Sequence, residues 1–169
     1  MQNNMEFMTD NEALTKVLNG EDDLGAVIRA HIHIESSLNA LIGSHFEFPE
    51  QLKKLNLEFH QKVIVAQAIG LKPEYAAPLN ALGTLRNNFA HRLEAEIGKN
   101  EIESLYKSFK GDDKQIIQNA YLRTKKELRM KRPKSLTKLE PREQFTLIII
   151  SIQAVLIAAI KELLNEKSA

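Results

Sequence analysis

The stretch "DDLGAVIRAHIHIESSLNALI", residues 22–42, decides the fold class. Val27, Ile28, His31, Ile34, Leu38, Leu41 and Ile42 recur at steps that lay them along one face of a helix. Asp22 or Asp23 supplies the side-chain oxygen that a helix start needs for its free N–H groups. Outward from this stretch the same period dominates, and no segment alternates apolar and polar residues between turn signals, so the chain reads as all-α. Upstream, a short helix starts after Thr9 or Asp10 and stops near Asn19 and Gly20, and residues 1–9 are expected to be disordered. Downstream, Pro49 opens a third helix in which Leu52, Leu55, Phe59, Val63 and Ala66 hold the period until Gly70. Pro73 opens a fourth segment. Inside it Pro78 removes a backbone donor and Gly83 loosens the helix, so a kink or a restart is expected near Pro78. A short helix over about 101–109, a helix over about 114–132 and a closing helix over about 141–165 follow. The whole reads as an up-and-down helical bundle of about five long helices, with two short ones.

A chain of 169 residues, 43% hydrophobic and 27% charged, can build one domain with its own core. No repeat or Pro/Gly-rich linker divides it, so residues 1–169 read as a single domain. The net charge of +1 gives no global attraction for polyanions, and nucleic-acid contact would require local clustering. Cysteine is absent, which removes disulfides, thiolate nucleophiles and thiolate metal sites together and fits a reducing compartment. The N-terminus "MQNNMEFMTDNEA" is polar and acidic rather than a signal peptide, so a cytoplasmic location is expected. The run "FTLIIISIQAVLIAAI", residues 145–160, is shorter than the ~20 residues a membrane span needs and carries Ser151 and Gln153. It reads as a buried helix, central to the core or packed against a second subunit, with no membrane partner. The sequence holds no Gly-x-Ser-x-Gly turn, no glycine-rich phosphate loop and no helix-turn-helix spacing, which sets aside conventional hydrolases and sequence-specific repressors.

The stretch "TLRNNFAHRLE", residues 84–94, is where chemistry concentrates. Asn87 and His91 are four apart and share a helix face, whereas Arg86 and His91 are five apart and diverge by roughly 140°. They converge if the helix is distorted, if Arg86 wraps round, or if two copies of the segment meet across a dimer axis. These residue types suit RNA cleavage without a metal. Histidine can take or give the protons that a ribose 2′-hydroxyl attack requires, and arginine offers a fork of donors to the charged phosphate. Asparagine can orient either. The same set suits simple phosphate binding. A structural reading also stands, in which a buried polar network at a kink satisfies backbone groups freed by Pro78 and Gly83. Phe89 and Ala90 read as core contacts.

The hexapeptide "RNNFAH", residues 86–91, resembles the Arg-x4-His motif of HEPN domains (higher eukaryotes and prokaryotes nucleotide-binding), in which a polar residue follows the arginine as Asn87 does. The preceding "RAHIHIESSLNALI" and "FHQKVIVAQAIGL" resemble the helices before the motif in bacterial HEPN-like proteins of the mannitol operon repressor (MltR) group. The resemblance spans about residues 22–93, and the closing helix more loosely. It implies an all-α bundle that dimerises around the motif. In active members it implies a metal-independent endoribonuclease, in some cases a toxin or defence effector with an antitoxin partner, leaving a 2′,3′-cyclic phosphate. Arg86 would then polarise the scissile phosphate, His91 would transfer a proton, and Asn87 would support both. The alternative implied by the MltR group is a non-catalytic transcriptional regulator or interaction module.

"HIHIE", residues 31–35, offers only His31 and Glu35 on one helix face, too few for zinc. His31 reads as a hydrogen-bonded core histidine, and no metal or cofactor is expected. His45 and His60 have no partner that the sequence names. Between residues 123 and 138, Arg123, Lys125, Lys126, Arg129, Lys131, Arg132, Lys134 and Lys138 face Glu127 alone. Such a patch can steer RNA or DNA phosphates, which makes Lys125, Lys126, Arg129, Lys131 and Arg132 candidate substrate-binding residues beside Asn88. The plainer reading is a solvated helix end and a flexible basic loop. Tyr121 is the one aromatic residue nearby, so base stacking is not supported.

Overall fold

The computed structural model describes residues 10–92, 94–127, 131 and 133–168, with backbone alone at 10–13, 120, 123–127 and 166–168. The expectation for residues 1–9 lies outside that range. Every regular element is helical: α1 (Asp10–Gly20), α2 (Asp23–His45), α3 (Pro49–Leu52), α4 (Phe59–Ala68), α5 (Ala76–Ala90), α6 (Lys99–Lys107), α7 (Gly111–Glu127) and α8 (Pro141–Ser168), with short 3-10 turns at Lys53–Leu55, Pro73–Tyr75 and Leu136–Lys138. Eight α-helices among the described residues exceed the expected count. The excess arises where one helix was read from Pro49 to Gly70. Asn56 there adopts the left-handed conformation, φ 48° and ψ 46°, which asparagine tolerates better than most residues and which ends a right-handed helix. The chain restarts at Glu58, whose backbone N–H donates to Gln61 Oε1 at 2.8 Å, one arm of a capping box. Gly70 closes α4 at φ 119°, and Leu71 N–H to Ala66 O with Gly70 N–H to Gln67 O completes a Schellman stop. Of the kink or restart expected near Pro78, the structure shows a restart. A 3-10 turn passes into α5 at Ala76, so Pro78 falls in the first turn, where its missing N–H has no intrahelical partner to lose.

α2 is the central element and packs against α1, α3, α4, α5 and α8. Asp22 caps it by accepting from Gly25 N–H at 2.7 Å, and the stripe Val27, Ile34, Leu38, Leu41 and Ile42 is buried, with His31 beside it. The buried side chains form one cluster running from Leu14 to Ile160. α8 covers α2 with Phe145, Ile148, Ile149, Ile152 and Leu156. Its Gln153 is buried because Ser37 of α2 donates to its Oε1 at 3.0 Å. Arg142, at the start of α8, pairs with Asp23 and donates to the carbonyls of Leu18 and Glu21 at 2.6 and 2.7 Å. Asp23 in turn accepts from Ile97 N–H at 2.7 Å, so the Asp23–Arg142 pair ties α1, α2, α8 and the approach to α6. The apolar run of α8 belongs to a longer helix than its own length suggests. From Pro141 to Asn165, 25 residues, the helix has the length and composition to cross a membrane, and 33% of its most apolar window is buried.

Candidate functional site

The site begins with the two faces of α5. Leu79, Leu82, Leu85 and Phe89 recur at three- and four-residue steps and are buried, which fixes the rotation of the helix. Arg86, Asn87, Asn88 and Ala90 consequently face solvent. Phe89 is a core contact as expected, whereas Ala90 is exposed, because it lies on the opposite side of the last turn. The helix ends at Ala90, and exposed His91 caps it at φ −101° and ψ 5°. Arg86 Nη1 donates to Asn87 Oδ1 at 2.9 Å, a bond that steers the guanidinium. Among the described residues Arg86 makes no ion pair.

Arg86 and Asn87 line a cleft of about 660 Å³ between α2, α4 and α5, together with His31, Glu35, His60 and Asn80. That volume lies within the usual range of small-ligand clefts. On the wall of the cleft α5 approaches α4 closely at Gly83: a Cβ there would meet the Phe59 ring at 3.1 Å. Phe59 in turn lies 4.3 Å, centroid to centroid, from the imidazole of His31. His31 is 5% exposed, and burial lowers its pKa below the ordinary 6.5. Glu35 acts in the opposite direction, and Arg86 and Lys62 reinforce the lowering. His31 is therefore neutral at neutral pH. Its Nδ1 lies 4.0 Å from the Glu35 carboxylate, which Lys62 neutralises at 2.7 Å. At the mouth, His60 Nδ1 lies 3.4 Å from Glu58, and both side chains are open to solvent.

The structure thus gathers Arg86 and Asn87 with His31, Glu35 and His60. It does not gather the whole hexapeptide within one chain. Asn88 faces a separate groove against α6, beside Asn100 and Ser104, and His91 stands outside the cleft at the helix end. His60 was missed by the sequence reading. The available signal was Glu58-x-x-Gln61, which marks a helix start with residues open to solvent. His31 is buried as expected, but its close neighbour is the Phe59 ring.

Of the basic candidates, Lys131 is exposed. The side chains of Lys125 and Lys126, and all of Arg129 and Arg132, lie outside the described residues. The segment after Pro133 is not a free loop. Tyr121 donates to Pro133 O at 2.8 Å, Gln118 donates to Lys134 O at 2.9 Å, and Leu136 N–H donates back to Gln118 at 3.0 Å. Leu136 is fully buried. No group of three or more potential metal ligands occurs among the described residues. The chain matches no protein-family model, and comparison with curated proteins and with solved structures returned no match.

Proposed function

We propose that this chain is an HEPN-like, metal-independent endoribonuclease that dimerises around the end of α5. In this reading Arg86 holds the scissile phosphate, Asn87 steers Arg86, and His91 from a second copy takes part in proton transfer. The observation that carries the reading is the exposure of Arg86, Asn87, Asn88 and His91 on a helix whose other face is firmly buried. A purely structural network would need those polar groups inside the protein, satisfying buried backbone; here they face outward and leave the core to Leu85 and Phe89. Arg86 and His91 diverge within one chain, so a second copy is the simplest way to bring an arginine and a histidine onto one phosphate.

Incubation of purified protein with end-labelled RNA tests the reading, with and without chelator, beside Arg86→Ala and His91→Ala. Chelator-resistant cleavage to 2′,3′-cyclic phosphate ends, lost in both variants, is the expected result. An absence of cleavage by folded, dimeric protein across varied RNAs would instead assign the hexapeptide to anion binding in an MltR-like regulatory module.

A further inference from the structure

Cleavage of RNA by its own 2′-hydroxyl moves two protons, one from the attacking oxygen and one onto the leaving oxygen. The hexapeptide offers a single imidazole per chain, His91, and it stands outside the cleft that Arg86 lines. The cleft itself contains two more. His31 is enclosed by the fold beneath Phe59, 5% exposed and neutral, which makes it a poor proton donor. His60 is different. Its side chain is 59% exposed, it lines the same cleft as Arg86 and Asn87, and Glu58 stands 3.4 Å from its Nδ1, leaving Nε2 as the nitrogen free to meet a substrate.

We infer that His60 is a further catalytic residue of this site, the general acid that protonates the leaving 5′-oxygen of the RNA. The inference rests on the ribonuclease reading above. His91 of the second copy accepts the 2′-hydroxyl proton as the bond from the 2′-oxygen to phosphorus forms. The phosphorus to 5′-oxygen bond breaks, its electron pair stays on the 5′-oxygen, and that oxygen takes the proton from His60 Nε2. The products are a 2′,3′-cyclic phosphate and a 5′-hydroxyl, and the two imidazoles regain their starting states by exchange with water. Arg86 carries the phosphate charge between them, and Glu58 orients the His60 ring. The buried, neutral His31 keeps the wall behind Arg86 free of a competing positive charge.

The test compares two substrates on the full-length protein once a cleavage position has been mapped. One is the RNA oligonucleotide. The other is the same oligonucleotide with sulfur replacing the bridging 5′-oxygen, whose thiolate leaves without a proton. His60→Ala should slow cleavage of the oxygen substrate by about 10²- to 10⁴-fold, with the sulfur substrate cut within a few-fold of the wild-type rate and the melting temperature unchanged. His60→Gln, which keeps the side chain polar, should behave alike. Equal losses on both substrates, or no loss on either, would overturn the acid role while leaving the ribonuclease reading intact. Wild-type protein that cuts neither substrate would overturn both.

Discussion

The last turns of α5 and the middle of α8 are both helix with one face in the core, and they spend their other face in opposite ways. Residues 145–160 of α8 carry no charged side chain at all, and apart from the half-buried Ser151 hydroxyl what this stretch leaves uncovered is apolar, with no charged group to bind an anion. α5 buries Leu82, Leu85 and Phe89 and presents an arginine, two asparagines and a histidine on the far side. The difference teaches that stability and chemistry are separable here. Side chains that hold the fold lie along α2 and α8, whereas those proposed to act are held in place by the fold without holding it.

The sharpest attempt to break that separation changes one residue on each side. Phe145→Ala removes a fully buried ring from α8 and should cost about 3–5 kcal/mol of stability, read by denaturant unfolding. Arg86→Ala should leave stability within about 0.5 kcal/mol while RNA cleavage falls by about 10²- to 10³-fold. If Arg86→Ala unfolds the protein, or Phe145→Ala is neutral, the comparison fails. A smaller effect sharpens it further. Arg142→Ala leaves Asp23 and the carbonyls of Leu18 and Glu21 without their guanidinium, at a cost of about 1–3 kcal/mol, and should leave the cleavage rate per folded molecule unchanged.

The smallest expected effect is a pH dependence, and it comes from the one buried titratable group in the cleft. Because burial depresses the pKa of folded His31 below 6.5, the unfolded chain binds the proton more readily. Its contribution to stability is thus complete above about pH 6.5 and is lost progressively as the pH falls through the lowered folded-state value. Melting temperatures measured at pH 5 and pH 7 should differ more for the wild type than for His31→Gln. An equal difference in both proteins would show that this histidine does not govern the acid limb.

The helices were legible where pattern and punctuation agreed. In α2 the stripe, the Asp22 cap and the burial coincide, and in α8 Pro141 marks the start. The third helix was misread because an unbroken apolar period crosses Asn56, and period alone does not report a residue in left-handed conformation. For the candidate site, Arg86 and Asn87 could be singled out from their company in six residues. His60 could not, since it shares a cleft with Arg86 only through the packing of α4 on α5, where the two helices come close at Gly83. Sequence spacing reports faces of one helix; it does not report which faces of different helices meet.

The most direct test of the central claim, that the end of α5 forms a composite site from two copies, is complementation between inactive variants. Arg86→Ala and His91→Ala proteins, each purified and then mixed under exchange conditions, yield mixed dimers that retain one intact pairing of Arg86 with His91. The account expects each variant to be inactive alone and the equal mixture to recover about a quarter of wild-type RNA cleavage, since half the dimers are mixed and each has one working site of two. A mixture shown by mass to contain the mixed dimer, yet with no recovered cleavage, would contradict it.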